Sequence, residues 1–72
     1  MRGSWDDLRY VLAVAEHGSV AKAGRHLGVN HATVLRHISG FEERHEVRLF
    51  ERLPSGYALT DEGQKLVVSL RT

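Results

Sequence analysis

Five histidines are the side chains best equipped for chemistry in this 72-residue chain, and their spacing argues against a metal centre. His17, His26, His31, His37 and His45 lie 9, 5, 6 and 8 residues apart. None of these intervals is the i, i+4 pairing that sets two imidazoles on one helical face, and no HExxH run occurs, so no metal site is expected. Cysteine is absent, which removes a thiolate zinc site, a cysteine nucleophile and a disulfide framework, and suits a reducing, cytoplasmic setting. Serine, histidine and aspartate are present without a nucleophile motif or a glycine-rich phosphate loop. A domain this small buries only about 60% of its unfolded surface and has little room for an enclosed active site. Neither catalysis nor a cofactor is expected.

The imidazoles do share one property: four of them fall in a stretch without acids. Residues 17–41, 25 consecutive positions bracketed by Glu16 and Glu42, contain no Asp or Glu. They hold Lys22, Arg25 and Arg36 for a formal charge of +3, while the other 47 residues carry −2. The overall net charge of +1 argues against a nucleic-acid partner, but its distribution describes an electropositive face for an anionic polymer. Charge alone does not choose between DNA, RNA and an acidic protein. Protonation of the window's four histidines would raise its charge to at most +7, so tighter DNA binding is expected on going from pH 8 to pH 6.

The elements that must carry this face follow from punctuation and period. Ser4 and Asp7 resemble a capping box, and Trp5, Leu8, Leu12 and Ala15, widened by Val11, form the apolar stripe of a first helix. Met1-Arg2-Gly3-Ser4 carries no functional weight. Gly18 stops the helix and Ser19 caps a second, whose stripe is Val20, Ala23, Gly24 and Leu27. Gly28 breaks it, and Asn30 caps a third helix, about residues 31–45, with Val34, Ile38 and Phe41 inward. Glu42, Glu43 and Glu46 read as a solvated face late on that helix. Val47, Leu49 and Phe50 lead into a strand, Pro54-Ser55-Gly56 turns, and Tyr57-Ala58-Leu59 returns. Thr60 caps a fourth helix with Asp61 and Glu62 at its positive end and Leu66, Val67 and Leu70 on its apolar side. The longest apolar run, Tyr10 to Ala15, is far short of the roughly 20 residues that cross a bilayer, so no membrane partner is expected. The expected fold is mainly α, a three-helix core with a two-stranded hairpin and a further helix.

Two short helices joined by Gly28-Val29-Asn30 make a helix-turn-helix, whose second helix enters the major groove with its N-terminal residues at base edges. At 100° per residue Ala32, Thr33, Arg36, Ser39 and Gly40 point outward, with Leu35 and His37 on the flanks. That row is small, polar and basic, as a groove-entering surface should be. Lys22 and Arg25 on the preceding helix are placed for phosphates.

The chain resembles the N-terminal DNA-binding domain of LysR-type transcriptional regulators, without gaps from about Trp5 to Leu66. The resemblance is carried by Leu8, Ala13-Val14-Ala15-Glu16, Gly18-Ser19, Ala23, Leu27-Gly28-Val29, Arg36, Ile38 and Glu42. Val47, Leu49-Phe50-Glu51-Arg52, Leu59-Thr60 and Gly63 continue it. It implies a bacterial winged helix-turn-helix, residues 1–60, followed at 61–72 by the start of a linker helix that dimerises, with Leu66, Val67 and Leu70 packing either on the domain core or on a partner. The implied partner is double-stranded promoter DNA, bound by a dimer or tetramer on an interrupted palindrome. The implied small-molecule inducer acts through a further domain absent from these 72 residues.

In the family the recognition helix usually opens Ser-Gln-Pro-Ala-hydrophobic-Ser-Arg-Gln, against Asn30-His31-Ala32-Thr33-Val34-Leu35-Arg36-His37 here. Asn30 keeps a cap and Arg36 a cation, whereas His31, Leu35 and His37 depart at or beside the reading positions. Imidazole still donates or accepts at a base edge; leucine can only pack against a thymine methyl or a sugar. The resemblance further places Arg52 at the base of the wing on a phosphate, with Ser55 and Gly56 at the tip beside Pro54 and Tyr57 in place of an arginine-rich one. The DNA-contact set expected is therefore Asn30, His31, Ala32, Thr33, Leu35, Arg36 and His37, with Lys22, Arg25, Arg52, Ser55 and Gly56. The rival reading is a winged-helix protein-interaction module whose basic face meets an acidic partner; it would expose several apolar residues on the third helix, where Leu35 alone qualifies.

Overall fold

The computed structural model describes residues 2–71, with side chains from residue 5 onward. Four helices and one hairpin follow in the order α1 (Arg2–His17), α2 (Val20–Leu27), α3 (His31–His45), β1 (Phe50–Leu53), β2 (Gly56–Leu59) and α4 (Asp61–Arg71). The three-helix core, the hairpin and the fourth helix match the expected order.

Helix α1 is where expectation and structure part. It begins at Arg2, ahead of Ser4, whose side chain lies outside the described residues, as does Met1. Asp7 does not reach back as a cap: it is buried at 4% exposure and faces α3. The inner face of α1 is Asp7, Tyr10, Val11 and Val14, the i, i+3, i+4, i+7 pattern with a carboxylate as its first member. Leu8, Leu12 and Ala15 become its half-buried flank, and Trp5, expected in the core, is 72% exposed. The inward Asp7 carboxylate turns the buried face of α1 away from the stripe of Trp5, Leu8, Leu12 and Ala15.

The turns behave as their residues dictate. Ser19 Oγ accepts from Lys22 N at 3.0 Å and Asn30 Oδ1 from Ala32 N at 2.7 Å, each satisfying a free amide of a helix start. Gly28 closes α2 in the left-handed conformation at φ 73°, its N–H reaching back to Arg25 and Gly24 carbonyls. Gly24 is required for a different reason: a Cβ there would stand 2.8 Å from the Val29 carbonyl, so only glycine lets α2 meet the turn.

Leu49, Val11, Val14 and Val34 are the fully buried side chains around which α1, α2, α3 and the hairpin close. The strands pair antiparallel, Phe50 with Leu59 through Leu53 with Gly56, leaving Pro54 and Ser55 as the loop. Hydrogen bonds at two points fix this hairpin and its approach to the core. Tyr57 N donates to Gly18 O at 3.0 Å, at the α1–α2 corner. Glu42 accepts from Leu49 N at 2.7 Å and Phe50 N at 3.3 Å. Glu42 is therefore a half-buried acceptor for the approach to β1, unlike Glu43 and Glu46, which are exposed as expected. Thr60 Oγ1 accepts from Gly63 N at 3.0 Å and caps α4.

Candidate nucleic-acid interface

The N-terminal half of α3 and the hairpin leave between them an open groove of about 440 Å³. Its walls include Ser19 and Val20 at the start of α2, His31 and Leu35 on α3, and Arg52, Leu53, Pro54, Ser55 and Gly56 on the hairpin. The structure thus gathers five of the expected contact residues, His31, Leu35, Arg52, Ser55 and Gly56, around one opening. Ala32 and Arg36 are exposed beside it on the same helix, Thr33 is half-buried, and Lys22 and Arg25 are exposed on α2. Asn30 is exposed with its side-chain oxygen engaged as the α3 cap.

Both arginines of this face are held by neighbours. Arg36 Nη2 donates to Thr33 Oγ1 at 3.4 Å, one turn earlier. Arg52 Nε donates to Tyr57 Oη at 3.0 Å, and its guanidinium carbon lies 5.7 Å from that ring's centroid. Tyr57 faces Arg52 across the ladder, so strand register supplies the contact. A guanidinium already oriented loses less freedom when it meets an anion. No carboxylate lines the groove among the described residues. Glu43 and Glu46 sit at the far end of α3, about 18 Å along the axis from His31 at 1.5 Å per residue.

His37 is a correction. Its Nδ1 donates to an Asp7 carboxylate oxygen at 2.7 Å, and its ring stacks on Tyr10 at 4.1 Å with planes 10° apart. Arg44 donates to the second Asp7 oxygen. Residue 37 borders the buried Val34–Ile38–Phe41 stripe on the α1 side, and the inward carboxylate of Asp7 draws the imidazole there. His37 thus faces α1, away from the groove. Of the acid-free window's other histidines, His26 and His31 are exposed, while the His17 ring lies tilted at 42° to that of His26 with centroids 4.7 Å apart, and its Nε2 is buried without a protein partner among the described residues.

Of the two placements open to the apolar side of α4, Val67 takes the core, at 5% exposure. Leu66 and Leu70 are half-buried, and the outward apolar residue of α4 is Val68, 63% exposed. The sequence reading missed three contributors. Tyr57 orients Arg52, and cross-strand pairing would have shown it. Leu53 is 48% exposed in the groove because the strand's last outward position falls there. Asp7 carried no local signal, since its partners lie 30 and 37 residues away.

Comparisons with known proteins agree on the frame. Residues 5–64 match the profile of the bacterial regulatory helix-turn-helix protein, lysR family. The HTH-type transcriptional activator AmpR of Providencia stuartii is 45% identical over 60 residues, covering 83% of this chain and 20% of that protein. A CbnR_DBD–DNA complex superposes with a TM-score of 0.87 at 33% identity, covering 92% of this chain and 76% of that one. A BenM_DBD/catB site 1 DNA complex gives a TM-score of 0.86 at 31% identity, covering 89% and 72%. The chain spans about one fifth of the length of the curated relatives it matches.

Proposed function

The chain belongs to the lysR family of bacterial regulatory helix-turn-helix proteins, and from that membership we propose that it binds double-stranded promoter DNA sequence-specifically to regulate transcription. The observation that carries this reading is the convergence of His31 and Leu35 of α3 with Arg52, Ser55 and Gly56 of the hairpin on one open groove lined by no carboxylate among the described residues, with Ala32 and Arg36 exposed on the same helix. Helix α3 lies in the major groove, Arg36 meets a base edge, and Lys22, Arg25 and Arg52 meet phosphates. The role is binding rather than catalysis, exercised in the cytoplasm where the nucleoid is. The relatives extend well beyond the matched segment, and by likeness to them α4 begins a linker helix that pairs protomers, with any inducer acting on a further domain.

Arg36→Ala tests the reading. It is expected to weaken the preferred site by about tenfold or more, the worth of one good base contact, while lowering affinity for random DNA far less. Equal loss on both sequences would make Arg36 a phosphate contact. One observation favours the rival protein-interaction module: Leu53, 48% exposed, adds a second leucine to the groove beside Leu35. DNA affinity that does not fall with added salt would support that rival.

A further inference from the structure

We propose that Leu35 reads the 5-methyl group of a pyrimidine in the major groove, beside the base pair that Arg36 meets. The inference rests on the DNA-binding reading above and adds a ligand chemistry to it. That chemistry is a methyl on C5, carried by thymine or by 5-methylcytosine.

Leu35 is the fifth residue of α3, within the part of a recognition helix that reaches base edges. It is half-buried: one side packs against the core, and the rest forms part of the groove wall. Ala32, one turn earlier, is exposed, and Leu53 of the hairpin is 48% exposed in the same groove. Val20 and Ala21 of α2 line it too, so the apolar surface is shared by α2, α3 and the hairpin. Arg52, held by Tyr57, lines the same groove, and Arg36, held by Thr33, is the next residue of α3 after Leu35.

An occupant must satisfy both features. An apolar protein surface would cover Leu35 and Leu53 but strip water from the arginines without replacing it, and an acidic one would pair the arginines but set charge against the leucines. Duplex DNA offers anionic phosphates and base acceptors for the arginines. In the major groove it also offers one apolar group, the C5-methyl. Leucine has no donor or acceptor, so its contribution to discrimination there is contact with that methyl.

The test begins with duplexes selected from random DNA by this chain. Each thymine is then replaced by uracil, which removes the methyl and nothing else. One thymine in the bound site is expected to lose about fourfold in affinity on replacement, the worth of one buried methyl-sized group. Leu35→Ser is expected to bind thymine and uracil duplexes equally, and Leu35→Met, which keeps an alkyl side chain, to retain the preference. Cytosine and 5-methylcytosine, each paired with guanine at that step, separate the two sources. A gain from the methylated base extends the site to methylated DNA, and no gain confines it to thymine. Uracil without effect at every position overturns the proposal, as does a Leu35→Ser chain that keeps the uracil penalty. Failure to select any DNA overturns the DNA-binding reading with it, so the two failures are distinct. The uracil scan uses the unaltered chain and does not depend on any variant folding.

Discussion

Asp7 takes its carboxylate out of water on the inner face of α1, where His37 and Arg44 of α3 meet its two oxygens. Burying an ion costs several kcal/mol unless its lone pairs are used, and here both oxygens are bonded. The Arg44 side chain remains 53% exposed and keeps much of its hydration, so its share of the pairing is screened. Asp7→Ala is expected to lower unfolding stability by about 2 kcal/mol, below the 3–5 typical of fully buried pairs. Arg44→Ala should cost less than about 1 kcal/mol. Urea denaturation of the two single variants and the double variant measures both, and an unchanged midpoint for Asp7→Ala would sink this account. The interaction was not legible in the sequence, because an acid in the first turns of a helix looks like a capping acid. What distinguishes them is a partner 30 residues away. The same contact withdraws His37 from the reading face, although its position on α3 had suggested a base contact.

Helix ends were legible because they depend on residues within a turn. Ser19, Asn30 and Thr60 each accept the amide hydrogen their type and position promise, and Gly28 adopts the left-handed backbone that ends α2. The facing of α1 was not legible, since period alone cannot say whether Trp5 or Asp7 turns inward; the carboxylate's two partners decide it, and Trp5 is left exposed. Glu42 shows a third case, in which an element's charge serves another element. Its carboxylate accepts from Leu49 and Phe50 amides and so joins the late part of α3 to the start of the hairpin. Glu42→Ala leaves two partly buried N–H groups without that acceptor and is expected to cost about 2 kcal/mol. Glu42→Gln keeps an oxygen acceptor and should cost about half as much. Thermal unfolding of both variants checks this, and equal losses would show that the acceptor is not what matters.

At the scale of the molecule, charge is sorted rather than large. The net +1 combines the basic stretch of α2 and the first part of α3 with acids on α1, at the far end of α3, at Glu51 of β1 and at the start of α4. That layout was legible as the acid-free stretch, whereas the depth of each α4 residue was not. Leu66, Val67 and Leu70 share an apolar pattern, and packing under α4 assigns Val67 to the core while Val68 faces out. This separates folding from pairing along one helix. Val67→Asp puts an unpaired carboxylate among Leu49, Phe50 and their neighbours and should unfold the chain, read as loss of helical circular dichroism. Val68→Asp, at 63% exposure, should shift stability by no more than about 0.5 kcal/mol. If α4 pairs protomers, Val68→Asp in the longer regulator should lower self-association in sedimentation equilibrium while the domain's thermal midpoint is kept. A Val68→Asp protein that associates as tightly as the parent would remove this face of α4 from the interface, and a folded Val67→Asp would contradict the packing that separates the two valines.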